Sequence, residues 1–121
     1  CRVMQRTRVA KNGLIDYGGV FNCRKVLGST AWSQHAFGNA VDLFPHIAVH
    51  NDEIADAVVT QATRRTFANR GRRLAVAEVI DHQTSRMWTP TGGWGHYGRS
   101  IGPHVHITAA PKRYGQPACA D

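Results

Sequence analysis

The sequence predicts an α+β fold, a small antiparallel sheet with flanking helices, in a single domain spanning residues 1–121. Three observations lead there. One segment with helical apolar spacing lies mid-chain, and short alternating or wholly apolar runs flank it on both sides. No internal repeat or low-complexity linker divides the chain. Its 121 residues suffice for one core and not two.

The elements follow in order. Residues 1–12 are basic and poor in turn formers, and read as a strand or an extended arm. Gly18 and Gly19 precede a short strand over 20–24, and a polar loop, 28–34, leads to His35. Residues 40–44 alternate like a strand, which Pro45 stops. Asn51 is a helix N-cap with Asp52 and Glu53 in the first turn. Ile54, Ala57, Val58 and Ala62 then share a face, and Gly71 caps the C-terminus.

Residues 74–81 form the strongest strand, apolar on both faces and therefore central. Residues 86–89 return against it as a hairpin. Residues 91–102, rich in glycine and aromatics, make a loop that can wall a groove. Residues 105–108 close the sheet, and 111–121 are irregular.

Composition bounds the partners. A net charge of +7, from 15 basic and 8 acidic residues, favours polyanions without choosing among nucleic acid, anionic lipid and bacterial wall polymers. No helix carries clustered Arg and Lys and no aromatic ladder interleaves them, so no specific nucleic-acid partner is expected. Arg64, Arg65, Arg70, Arg72 and Arg73 gather near the helix end, a placement that suits the helix dipole and a partner-binding patch equally. No apolar run approaches the roughly 20 residues of a membrane span, and no signal peptide is visible. The chain starts at Cys1 rather than Met, and an excised domain or processed product, acting as a monomer, is expected. Cys1, Cys23 and Cys119 lack the CxxC spacing of a thiolate zinc knuckle; one disulfide tying a terminus to Cys23, with a thiol left over, is the expected use.

Two short stretches carry the chemistry: Ser33-Gln34-His35-Ala36-Phe37-Gly38-Asn39-Ala40-Val41-Asp42 and Pro103-His104-Val105-His106-Ile107. Residues two apart in a strand point the same way, so His104 and His106 face one side while Val105 and Ile107 enter the core. Asp42 lies on the polar face of its strand between Val41 and Leu43. Gly38 lets the backbone fold tightly and brings His35 over the start of that strand. His-x-His alone is weak evidence for a metal, but its combination with the earlier His and Asp is much more specific. Two imidazoles and one carboxylate leave a fourth zinc position open, the mark of a catalytic rather than a structural site.

These residues resemble a family. Ser33-x-His35-x-x-Gly38-x-Ala40-x-Asp42 followed by His104-x-His106 is similar to the zinc D-Ala-D-Ala carboxypeptidases and L-alanyl-D-glutamate endopeptidases, which share the fold of the hedgehog signalling domain. Cys23-Arg24, upstream of His35, is similar to the extensin-like C-terminal relatives. Val79-Ile80, Trp88, Gly93-Trp94 and Tyr97, upstream of His104, resemble actinobacterial and phage members. The resemblance runs from about Gly18 to Thr108. It implies that His35, Asp42 and His106 hold one zinc ion, and that Arg24 contacts the substrate's carbonyl or carboxylate, for which its fork geometry is suited. Many relatives place Asp or Glu three residues before the last ligand as general base; here Pro103 stands there and cannot take a proton. His104 is the expected base, with Asp81, His82 and His96 as fallbacks. Ser33 either hydrogen-bonds within the site or caps a turn. Trp88, Trp94 and Tyr97 either line the groove or cover the core.

The function this implies is zinc-dependent hydrolysis of amide bonds in peptidoglycan stem peptides at the bacterial cell wall, secreted, periplasmic or phage-released. An endopeptidase such as a phage endolysin module is favoured. A D,D-carboxypeptidase of the same fold and a non-catalytic zinc-containing binding domain are the alternatives.

Overall fold

A computed structural model describes residues 15–17, 22–26, 28–45 and 51–120. Six antiparallel strands form one sheet: β1 (Ile15–Tyr17), β2 (Ala40–Pro45), β3 (Val76–Asp81), β4 (Arg86–Thr89), β5 (Gly93–His96) and β6 (Val105–Ala109). Their spatial order is β1-β2-β6-β3-β4-β5. One α-helix, α1 (Asn51–Thr63), packs on one face. Among the described residues the other helical pieces are 3-10 turns at Gln34–Phe37, Phe67–Asn69 and Ala118–Ala120, so the expected plural flanking helices reduce to one. The α+β class and the antiparallel sheet are as the sequence predicts.

Alternation builds the core. Val41 and Leu43 of β2, Val79 of β3, and Val105 and Ile107 of β6 turn to the same side and pack with Ile54, Ala55 and Val58 of α1. Each such fully buried Val, Leu or Ile side chain contributes about 1.5–3 kcal/mol relative to exposure. Trp88 joins this core, and Trp94, opposite it in the β4–β5 ladder, packs against it.

Several boundaries differ from expectation, each for a local reason. The helix stops at Thr63 rather than near Gly71, because beyond Ala62 the sequence Thr63-Arg64-Arg65-Thr66 offers nothing apolar to bury. The Leu74 amide returns to satisfy the Gln61 carbonyl in the last turn at 2.7 Å. Gly71 instead follows the second 3-10 turn, with φ of 69°. Asn51 opens the helix with its amide fully buried and unpaired among the described residues, so it does not cap by its side chain. Residues 93–96, expected as loop, form edge strand β5: Gly92 and Gly93 make the turn, and Trp94 opposite Trp88 holds the ladder. β6 does not close the sheet but lies at its centre, between β2 and β3.

Residues 22–24 are irregular rather than a strand; a bridge between Lys25 and Trp32 brackets the loop that follows. The predicted arm at 1–12, Gly18 and Gly19 and the first residues of the 20–24 strand lie outside the described residues. Cys23 pairs with Cys119, tying the segment before His35 to the C-terminal stretch. Cys1 lies outside the described residues. No described helix is long and apolar enough to cross a membrane.

Candidate metal centre

The face of the sheet opposite α1 carries the polar residues. His35 sits in the Gln34–Phe37 turn, whose N-cap is Ser33: its Oγ accepts from the His35 amide at 3.3 Å. Gly38 ends the turn with φ of 66°, a left-handed conformation that suits glycine. Its amide satisfies the Gln34 and His35 carbonyls, so the chain reverses within one turn and enters β2. Ser33 is buried, and the cap is its observed role.

Strand register supplies the rest. Asp42 pairs directly with His106 across the β2–β6 ladder, the closest placement two residues on neighbouring strands can have. His35 Nε2 lies 3.1 Å from Asp42 Oδ1, and His106 Nδ1 lies 3.1 Å from the same oxygen. One donor atom from each of the three falls within 4.8 Å of the others. A tetrahedral ion with bonds of roughly 2.0–2.1 Å has edges of about 3.3 Å, so the two short separations fit such a sphere. The His35 and His106 rings meet edge to face, 5.0 Å apart at 73°, and so approach a common point from different directions. This buried group could hold a metal ion.

Burial alone would raise the Asp42 carboxyl pKa, but hydrogen bonds from His106 and His35, with their charge, hold it far below the carboxylate range. Burial would lower His106, yet Asp42 and Glu78 on either side hold it above its ordinary value. Without metal the cluster favours an ionised Asp42 and a protonated His106; a cation must displace that proton.

His104 immediately precedes β6 and, as expected, shares the face of His106. Its Nε2 lies 3.7 Å from Asp42 Oδ1. Its Nδ1 donates to the Gly102 carbonyl at 3.0 Å, which leaves Nε2 as the ring's acceptor. The ring is sandwiched between His82, 4.1 Å away, and Phe44, 5.1 Å away, and its burial holds the pKa below the usual value.

The fallback bases separate. Asp81 is fully buried and staples the β3–β4 turn: it accepts from the Gln83 and Thr84 amides, the Thr84 hydroxyl and Arg86. It has no free lone pair to offer a substrate. His96 is exposed on the edge strand opposite Arg86. His82 lies beside the site, but its Nδ1 accepts from the Ile101 amide, and burial, then the neighbouring His104 and His106, bring its pKa down to about 4.

A cavity of about 420 Å³ opens over this face, with Arg24, Ser33, His82, Tyr97, His104 and His106 in its wall. Arg24 is set beside Ser33 by the Ser33 amide, which donates to the Arg24 carbonyl at 2.9 Å. Tyr97 meets His82 edge to face. Trp94, expected as a substrate contact, is not in that wall: the Arg86 guanidinium covers it at 3.8 Å and its ring packs on the core. Trp88 is core as well.

Sequence reasoning missed Glu78. A β-bulge between Val76 and Glu78 inserts Ala77, so Val76 faces the helix while Glu78 faces the cavity, against simple alternation. Glu78 Oε1 accepts from Thr108 Oγ1 at 3.0 Å and Oε2 pairs with Lys112 Nζ at 2.8 Å. Burial would raise its pKa; His106 and Lys112 outweigh that and bring it down to about 2. With both oxygens engaged it is a poor proton acceptor. The one signal was an acidic residue inside an otherwise apolar strand.

The chain matches no protein-family model, no curated protein and no solved structure, and the site's chemistry rests on its own geometry.

Proposed function

We propose that this chain is a zinc-dependent peptidase of hedgehog/DD-peptidase-like fold that hydrolyses an amide bond in peptidoglycan stem peptides, as an endopeptidase at the bacterial cell wall. The observation that carries the reading is the convergence of His35, Asp42 and His106, with His106 and the neighbouring His104 in the wall of a cavity. Three protein donors leave a coordination position for a reactant. Zinc held there would polarise the scissile carbonyl and bring the pKa of water to roughly 7.

The chain's own groups supply the remaining roles. His104 Nε2, kept as an acceptor by the bond from Nδ1 to Gly102, takes the proton of the attacking water. Its neutral form dominates at neutral pH because burial disfavours the charge. Arg24 binds the substrate's carbonyl or carboxylate oxygen. Arg99 and Arg113 add positive charge to the same wall, which favours a peptide bearing free carboxylates. Tyr97 offers a flat apolar surface for an extended chain.

A non-catalytic zinc domain is the second reading, favoured by Pro103 at the family's usual base position and by Glu78 being tied to Thr108 and Lys112. One experiment separates the two. Purified peptidoglycan is incubated with the protein, with the protein plus chelator, and with zinc restored, and released fragments are read by mass. Chelator-sensitive, zinc-restored cleavage is expected, and the fragment masses identify the bond. A zinc-loaded protein that releases nothing supports the binding domain instead.

A further inference from the structure

His106 has two ring nitrogens, and the site uses both. Nδ1 faces Asp42 Oδ1 at 3.1 Å, on the side of the three-donor cluster. Nε2 faces away from it, toward Thr108 Oγ1 at 2.8 Å and Glu78 Oε1 at 3.7 Å. Thr108 is fully buried, two residues along β6 on the same face, and Glu78 pairs with it across the β3–β6 ladder. The series therefore runs His106, Thr108, Glu78, Lys112 through contacts of 2.8, 3.0 and 2.8 Å.

Its polarity follows from counting protons. Lys112 has only donors, so Glu78 opposite it is a carboxylate and can only accept. The Thr108 hydroxyl has one proton, and the carboxylate at 3.0 Å claims it. Thr108 Oγ1 can then only accept from His106, so Nε2 must carry hydrogen. The reverse arrangement would set a bare hydroxyl oxygen against a carboxylate oxygen, with Thr108 itself fully buried.

We infer that Thr108 and Glu78 are positioning residues that fix the hydrogen of His106 on Nε2, so that Nδ1 is the nitrogen presented to a metal ion. The inference rests on the reading of His35, Asp42 and His106 as a metal centre. It also accounts for the bulge at Ala77: without that extra residue Glu78 would turn to the helix face and Thr108 would lose its acceptor. Metal-binding imidazoles whose outer nitrogen is so anchored typically lose 10–100-fold in affinity when the anchor is removed.

The test uses the wild-type protein, Thr108→Val, which keeps the shape and removes the hydroxyl, and Thr108→Ser, which keeps the hydroxyl. Zinc affinity is measured by competition with a chromophoric chelator. Thr108→Val is expected to bind zinc roughly 10–100-fold more weakly, and Thr108→Ser within a few-fold of wild type. A correctly folded Thr108→Val with unchanged affinity overturns the inference. Independently of any variant's folding, ¹⁵N shifts of His106 in the wild type report the tautomer. Zinc on Nδ1 with a slowly exchanging proton on Nε2 is expected, and zinc on Nε2 overturns the proposal. In the zinc-free protein, where Asp42 Oδ1 accepts from Nδ1, a hydrogen on Nε2 is expected as well, and a bare Nε2 overturns the proposal. A wild type that shows the Nε2–H form but takes up no zinc would sink the metal reading alone.

Discussion

On the helix side of the sheet, Val41, Leu43, Val79, Val105 and Ile107 are each at most 1% exposed and merge into one apolar cluster. On the other side, Asp42, Glu78, His106 and Thr108 come from the same three strands and are joined atom to atom by hydrogen bonds and ion pairs. The first face is held by volume and area, and a lost methyl group costs in proportion to the space it leaves. The polar face is held by direction: each donor has a particular acceptor, and removing one strands its neighbour. A single antiparallel sheet thus keeps its stability and its chemistry on opposite sides of one backbone.

The largest effect should come from the polar face. His106→Ala is expected to abolish both stoichiometric zinc and hydrolysis while the apolar cluster keeps the chain folded; full zinc content in that variant would break the division. His104→Ala should retain zinc and lose about 10²–10⁴-fold in turnover, the usual contribution of a positioned acid–base group. An unchanged turnover number would move the base elsewhere.

From the other side, Ile107→Ala should cost about 2–5 kcal/mol in chemical denaturation and leave the folded fraction with one zinc per chain. Loss of zinc in proportion to stability would show that the two faces are not separable.

The smallest effect is in pH. The folded pKa of His82, down at about 4, lies below its unfolded value of about 6.5. Its contribution to stability is therefore present above about pH 6.5 and is lost as the pH falls to about 4. His82→Phe keeps the stack on His104 and removes the titration, so the zinc-free variant should lose less stability than wild type between pH 7 and 4.5. An identical loss in the two proteins would assign the acid sensitivity to other groups. The carboxylates Asp42 and Glu78 act at still lower pH, since both are held below the ordinary range.

Much of the site could be read from the chain because its members obey the two-residue period: Asp42 between Val41 and Leu43, His106 between Val105 and Ile107. The turn at Gly38 and the hairpin from β3 to β4 also follow from local chemistry, a glycine at positive φ and an Asp81 side chain that folds the turn upon itself. Glu78 could not be read so, since the bulge at Ala77 reverses the side it faces. Trp94 and Tyr97 are equivalent in sequence, and only the sheet puts one beneath Arg86 and the other in the cavity wall.

What the sequence determined alone is which residues could face together: alternation, a helix whose apolar stripe ends at Ala62, and two histidine-bearing stretches. What the tertiary structure decided is which of those faces meet, through the pairing of Asp42 with His106 and of Glu78 with Thr108. The period of a strand is a property of its own backbone, whereas register between strands dozens of residues apart is set by packing the whole core at once.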